Sequence, residues 1–399
     1  MAAVGAGDWL VWLVLGIMTG ITQGFSILVS QYYGAGEKEN LKCAVAKSYI
    51  MTALLSVIVL AVSEGAVYHV LLFLQTPDNV IDLTMLYLRL IFAGVPIIAA
   101  YNIFAAILRA LGNSRSPLIA MTVAAVINVG LDLLFVAVFG WGVAGAAIAT
   151  VIAQGFSALY CLLVLRKIRD IRLEKEDFYR QPSMSLRLLK LGTPLAIQNV
   201  IISVGGLTVQ YVINGFGFLF VAGFTATNKL YGILEMAAVS YGYAITTYVG
   251  QNLGAKKIER IKKGYHAALV LDLCFAVLAF VVIETLHTQI SSLFLGKDGT
   301  ALAYQVSGDY MRWLGYFFIF MGIKMATDGV LRGLGIMRPF LIANMVNLAI
   351  RLSVALICAP RFGIAFVWLA VPAGWLANFL ISYAALRRSW PEDKAAVSH

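Results

Sequence analysis

Two polar side chains, Asn128 and Asp132, interrupt an otherwise apolar stretch of the sequence at residues 117–139. A spacing of four residues places both on one face of a helix. An acid in apolar surroundings favours its neutral form, and an adjacent amide can hydrogen-bond to it with or without its proton. The pair therefore predicts a group that takes up and releases a proton. The alternative interpretation is a structural aspartate bonded to the backbone.

The composition indicates that this stretch belongs to a membrane protein. Of the 399 residues, 61% are hydrophobic and 13% are charged, and the mean hydropathy is +0.85. Soluble domains contain about 25% charged residues. The long apolar stretches also exclude an outer-membrane β-barrel, in which short strands alternate. The net charge is +10, and most of the basic residues lie in short loops. Basic residues in such loops set the topology of a membrane protein, so nucleic acid is not expected as a partner.

Eleven stretches are long and apolar enough to cross a bilayer as helices, since a span needs about 20 residues. The expected fold class is therefore all-α and polytopic. Of the 30 lysine and arginine residues, 23 fall in alternate loops, which the positive-inside rule assigns to the cytoplasm. This places Met1 outside and His399 in the cytoplasm. The predicted spans are residues 9–31, 44–73, 83–107, 117–139, 143–165, 191–214, 225–249, 264–287, 305–330, 339–359 and 363–386.

Short motifs recur in the same order in two parts of the chain. Their spacing is kept over more than a hundred residues, and each lies at the end of corresponding spans. This pattern predicts two homologous six-helix lobes in parallel orientation, because an even number of spans returns the chain to the same side. The recurring pairs are Val29–Ala35 with Val249–Ala255, Leu108–Gly112 with Leu331–Gly335, and Gly142 with Gly363.

The repeats divide the chain into an N-terminal lobe of five spans, residues 1–165, and a C-terminal lobe of six, residues 191–399. A charged cytoplasmic linker, residues 166–190, joins them. The span at 191–214 has no counterpart in the first lobe, so we expect that a first helix is missing from this sequence. The alternative is a genuine eleven-helix protein.

Parallel repeats are typical of secondary transporters, whose substrate sites lie near the membrane midplane. The chain lacks a G-x-x-x-x-G-K-[ST] loop for nucleotide binding, so the expected energy source is an ion gradient, of protons or of sodium. The four cysteines and four histidines show no metal-ligand spacing, and no metal or cofactor is expected. A polytopic membrane enzyme is a distant alternative, because it would need acids or histidines clustered in its loops.

Other charged residues within the spans are candidates for function, because a charge is costly to insert into a bilayer. Glu235 is expected either to attract a cation or to bridge to another helix. Lys324 and Asp328 are four residues apart, which favours a structural ion pair. Arg351 is expected to pair with a carboxylate of a neighbouring helix. Three less central acids are left out of the predicted site: Glu64, Asp272 and Glu284.

The motifs resemble a known family. Residues 31–36 (Gln-Tyr-Tyr-Gly-Ala-Gly) and 251–255 (Gln-Asn-Leu-Gly-Ala) are similar to the ends of the second and eighth helices of the multidrug and toxic-compound extrusion (MATE) family. Residues 109–117 and 128–150 resemble its fourth to sixth helices. The resemblance covers nearly the whole chain. It implies a V-shaped cavity between two lobes, and exchange of organic cations or other amphiphiles for protons or sodium.

Within that family, the seventh helix commonly carries carboxylates for the coupling ion. The matching span here offers Gln198 and Asn199 instead, which argues against the sodium-coupled branch. The Asn128 and Asp132 pair resembles the branch with its ion site in the first lobe, a branch that also uses an aspartate on the first helix. The resemblance therefore implies proton coupling at this pair. The predicted substrate-contacting residues are Glu235, Gln198, Asn199 and Asp328.

The predicted function is proton-coupled efflux of amphiphilic organic cations by a monomer in the cell membrane. The nearest alternative is a flippase for lipid-linked saccharides of the same superfamily. Such flippases often have additional spans or a strongly basic cavity. The sequence has no additional spans. It leaves the alternative of a basic groove undecided.

Overall fold

The computed structural model describes residues 2–73, 78–296 and 300–390, and all regular secondary structure in these ranges is helical. The predicted all-α fold is therefore confirmed. The α-helices are α1 (Ala2–Ala35), α2 (Lys38–Phe73), α3 (Asp78–Ala93), α4 (Val95–Ala110), α5 (Arg115–Asp132), α6 (Gly142–Arg166), α7 (Ser183–Phe216), α8 (Phe218–Gly254), α9 (Ile258–Leu295), α10 (Ala301–Gly333), α11 (Met337–Ser353), α12 (Ala359–Phe362) and α13 (Ala365–Arg388).

The helices differ from the eleven predicted spans in two places. Within the described ranges, nine helical segments are long and apolar enough to cross a membrane, and α3 with α4 makes a tenth across a 45° bend. The bend lies at Gly94 and Pro96, because proline lacks the N–H that would continue the helix. The predicted span at 225–249 lies in α8. This helix is long enough to cross a membrane, but its threonine, tyrosine and glycine residues lower its hydropathy.

The internal duplication extends to the backbone. Leu133–Val138 after α5 and Val354–Cys358 after α11 are both π-helical, at equivalent positions of the two halves. Left-handed backbone conformations also occur in equivalent pairs: Gly36 with Lys256, Gly112 with Gly335, and Gly142 with Gly363. The two halves therefore share the same irregular turns as well as the same motifs.

By contacts, the chain divides into two compact units, Met1–Val200 and Ile201–His399. This contact-based boundary lies within α7, whereas the sequence repeats place the boundary in the linker 166–190. The first division describes packing in space, and the second describes the duplication of the sequence. The linker lies on the first unit, where three ion pairs hold it to the start of α2: Lys38 with Asp170 at 2.8 Å, Arg180 with Glu39 at 3.3 Å, and Lys42 with Glu174 at 3.7 Å.

Within the first unit, α1 and the beginning of α7 are in backbone contact. A Cβ atom added at Gly24 would lie 2.3 Å from the Cα of Gly192, and one at Gly20 would lie 2.6 Å from the backbone nitrogen of Ala196. Glycines at a spacing of four form a smooth helix face that permits this approach. These glycines therefore allow α1 to pack on α7 at backbone distance.

Candidate functional site

Asn128 and Asp132 lie at the end of α5, immediately before the π-helical segment Leu133–Val138. Within the described ranges, the Nδ2 of Asn128 and the Oδ1 of Asp132 are buried without a hydrogen-bond partner. The two atoms are therefore not bonded to each other, although the helix places the side chains on one face. A buried carboxylate oxygen without a donor carries a free-energy cost.

A third unpaired polar atom lies on the helix that packs against α5. Ser157 of α6 donates a hydrogen bond to the carbonyl oxygen of Ala120 at 3.1 Å, which sets the antiparallel register of the two helices. This register places Gln154 about one and a half helical turns from the level of Asn128. The Oε1 of Gln154 is also buried and unpaired in the described structure. The α5 and α6 pair thus carries buried amide and acid atoms that have no hydrogen-bond partner in the described structure.

In the second unit, Asp328 is the centre of a buried polar network. Lys324 Nζ lies 3.4 Å from its Oδ2, and the two side chains are 3% and 0% exposed. Ser382 donates to Oδ1 at 2.7 Å, and Asn344 Nδ2 lies 3.5 Å from Oδ2. These contacts support the structural ion pair expected from the spacing. A substrate reaches Asp328 only if this network opens, and its substrate role stays a prediction.

Glu235 lies in an aromatic environment on α8. The hydroxyl of Tyr231 donates to its Oε1 at 3.2 Å, and the Tyr231 ring stacks on Trp375 with centroids 6.2 Å apart. Arg351 and Lys324 are close enough to interact electrostatically with the carboxylate. Arg351 nevertheless forms no ion pair within 4.0 Å in the described ranges, so the expected direct pair is not formed in this conformation.

Gln198 and Asn199 belong to the first unit. Asn199 Nδ2 donates to the carbonyl oxygen of Gly16 at 2.9 Å and so fastens α7 to α1. Gln198 is buried, and both residues have interactions within the protein. The four predicted substrate contacts are therefore divided between the units, with Glu235 and Asp328 in the second. Their role in binding substrate stays a prediction.

Asp272 of α9, which was left out of the predicted site, is a buried acid. It is 5% exposed, and its Oδ2 has no hydrogen-bond partner in the described part of the chain. Its position inside a predicted span was a usable signal, because ionisable residues at membrane depth are candidates by default. Its burial and lack of a donor become visible only when the helices are packed.

Comparison with known protein families identifies the chain. The family model MatE matches residues 1–134 and 194–357, which is more than half of the sequence. The chain belongs to the MATE family. The resemblance inferred from the motifs is therefore confirmed, as is the prediction that this MATE protein is a transporter rather than an enzyme.

Curated relatives and solved structures match the MATE chain over most of its length. YpnP and YoeA of Bacillus subtilis, both named probable multidrug resistance proteins, are 29% and 28% identical over 353 and 407 residues. These alignments cover 87% and 99% of the chain and 77% and 87% of the relatives. A MOP superfamily transporter from Pyrococcus furiosus has the same fold, with a TM-score of 0.91 at 21% identity over 97% of this chain and 87% of that structure.

As a MATE transporter, the protein is a multi-pass membrane protein that handles small molecules in the bilayer. The predicted monomeric state and cytoplasmic C-terminus stay predictions. Met1 and His399, on which the predicted orientation of the termini depends, lie outside the described residues.

Proposed function

We propose that this MATE transporter exports amphiphilic organic cations, including drugs, in exchange for protons. The proposal depends on one observation: Asp132 presents a buried carboxylate oxygen without a partner in the described structure, one helical turn from Asn128. A π-helical segment begins at the next residue, and such segments are frequent at functional sites. The names of the Bacillus relatives support drugs as substrates.

In the proposed cycle, Asp132 takes up a proton from outside, and this neutral state accompanies substrate release. Loss of the proton to the cytoplasm resets the site for the next substrate. A difference of one pH unit is worth about 1.4 kcal/mol per proton. A membrane potential of 100 mV adds about 2.3 kcal/mol per net charge moved. Exchange of one proton for one monovalent cation moves no net charge, so it is driven by the pH difference alone, about tenfold in concentration per pH unit.

The surroundings of Glu235 support a cationic, partly aromatic substrate. A carboxylate beside the Tyr231 and Trp375 rings provides both charge and π-faces, which organic cations bind well. Arg351 and Lys324 also interact with this carboxylate, so the substrate cation competes with them. We expect affinity to fall when the Glu235 charge is removed.

A second candidate substrate class is an anionic amphiphile. The Nε atoms of Arg332 and Arg351 are buried and, within the described ranges, have no hydrogen-bond acceptor. Guanidinium groups bind carboxylates and phosphates strongly when donors are free. These two side chains support an anionic group in the substrate. They do not by themselves indicate a lipid-linked saccharide.

The Asp132→Asn variant tests the proposed coupling. In proteoliposomes with an imposed pH gradient, we expect at least a tenfold loss of gradient-driven transport of a fluorescent lipophilic cation, because asparagine cannot carry the proton. The matched control is Asp309→Asn, at an exposed acid of α10, which should transport like the parent. Parent-level transport by Asp132→Asn would contradict the proton role of this residue.

The same proteoliposomes test the ion and the substrate class. A sodium gradient at equal pH on both sides should drive no transport by the parent chain. Transport driven by sodium alone would contradict proton coupling. Transport of an anionic dye in place of the cationic dye would favour the second substrate class.

A further inference from the structure

Asp272 lies on the face of α9 that packs against α8 and α10. The side chain is buried, and its Oδ2 is unpaired in the described structure. A carboxylate removed from water without a donor or a cation is strongly destabilised. The site therefore requires either a proton or a water molecule at Asp272.

The carboxylate rests directly on the backbone of α10. A Cβ atom added at Gly322 would lie only 1.5 Å from the Oδ1 of Asp272. No residue other than glycine fits at this position while the acid keeps its place. Gly322 therefore provides the space in which the Asp272 carboxylate sits.

The neighbouring ionisable groups do not neutralise Asp272. From α8, the hydroxyl of Tyr241 approaches it but donates to the carbonyl oxygen of Ala268. On α10, Lys324 lies two residues after Gly322, about 200° around the helix, and pairs with Asp328. Six residues before Tyr241 on α8, Glu235 lies about 240° around that helix.

The internal repeat shows what the first half has at the same positions. With the 220-residue offset of the first motif pair, Asp272 corresponds to Thr52 of α2, and with the 223-residue offset of the second pair, Gly322 corresponds to Ala99 of α4. The helices α2 and α4 pack together as α9 and α10 do. The second half thus has an acid in place of a threonine and a glycine in place of an alanine.

The two differences between the halves are complementary in side-chain size. An aspartate opposite alanine would collide with the methyl group, and a threonine opposite glycine would leave a gap. The Oγ1 of Thr52 is also buried and unpaired in the described ranges, so both halves place a polar atom here. Only the second half makes that atom part of a group that binds a proton.

Asp272 borders a cavity. A cavity of about 310 Å³ lies beside it, with Tyr241 and Phe275 in its wall. The volume is sufficient for several water molecules, since each occupies about 30 Å³.

We infer that Asp272 is a second proton-binding site of this transporter, seated on Gly322 and bordered by the cavity between α8 and α9. In its protonated form, the side chain packs against α10 without intervening water. Its charged form draws water into the cavity and loosens the contact between α9 and α10. The contribution of this site to transport rests on the proposed proton exchange, whereas proton binding at Asp272 is independent of Asp132.

The test is infrared difference spectroscopy of the purified full chain during pH titration, which detects the C=O stretch of protonated carboxyl groups. We compare the parent, Asp272→Asn, Asp132→Asn, and the double variant Asp272→Thr with Gly322→Ala, which copies the first half. The double variant keeps the packing volume and removes the acid. Melting temperatures in detergent identify which variants are folded.

We expect one component of the titrating band to disappear in both Asp272 variants and to persist in Asp132→Asn. Acid–base titration of the same samples should show one bound proton fewer per chain for the Asp272 variants. An unchanged band and proton count in a folded Asp272 variant would overturn the inference. Failure of Asp132→Asn to alter transport would contradict the proposed coupling site alone and leave this result unaffected.

Discussion

Lys324→Met is expected to destabilise the purified chain by about 3–5 kcal/mol, because it leaves Asp328 as a buried charge without its counter-ion. The pair is almost fully buried, so water cannot replace the lost ammonium group. Ser382 and Asn344 still offer hydrogen bonds to the carboxylate, but neutral donors do not cancel its charge. Thermal unfolding in detergent measures the effect as a large drop in melting temperature.

The double variant Lys324→Met with Asp328→Asn should recover most of this loss, because it removes both charges together. The matched control is Arg89→Met, which breaks the partly exposed pair between Arg89 and Glu64, 3.7 Å apart. Exposed pairs contribute about 0–1 kcal/mol, so this control should unfold close to the parent temperature. Equal melting temperatures for Lys324→Met and the parent would show that the buried pair is dispensable.

Gly24→Leu is expected to prevent close packing of α1 on α7 and to cost about 3 kcal/mol or more. The first added carbon would already lie 2.3 Å from the Cα of Gly192. Because the opposing atom belongs to the backbone, no side-chain rotation relieves the collision. The helices would separate, and the hydrogen bond from Asn199 to Gly16 would be strained or lost.

The control for this substitution is Gly65→Leu on α2, where a Cβ atom would meet no described atom within 4 Å. Both variants place the same residue within a long helix, so their difference isolates the contact with α7. Size-exclusion profiles and melting temperatures of the two purified proteins provide the comparison. A normal profile and melting temperature for Gly24→Leu would mean that the observed contact does not hold the first unit together.

Properties that depend on short stretches of sequence were predicted well. The apolar stretches identified the helices, and recurring motifs identified two halves whose irregular turns then proved equivalent. The prediction was less accurate for span 83–107, where Gly94 and Pro96 divide the helix, and for α8, which is too polar for the usual hydropathy of a span. In both places local composition competes with the requirement for a continuous apolar helix.

The candidate sites were predicted only in part. Asn128 and Asp132 could be found from their spacing because one helix positions both. Asn199 was predicted to contact substrate, but its hydrogen bond to Gly16 depends on the packing of α7 on α1. Asp272 was set aside because its sequence context shows neither its burial nor its missing donor.

The sequence by itself determined the all-α membrane fold, the two related halves and the membership in the MATE family, because hydropathy and motif spacing are properties of the linear chain. The tertiary structure alone decided which polar atoms are buried without partners. Such atoms depend on pairs of residues far apart in the chain, such as Asp272 and Gly322. Their charge states follow from the packing around them, since the cost of a buried charge is set by what surrounds it.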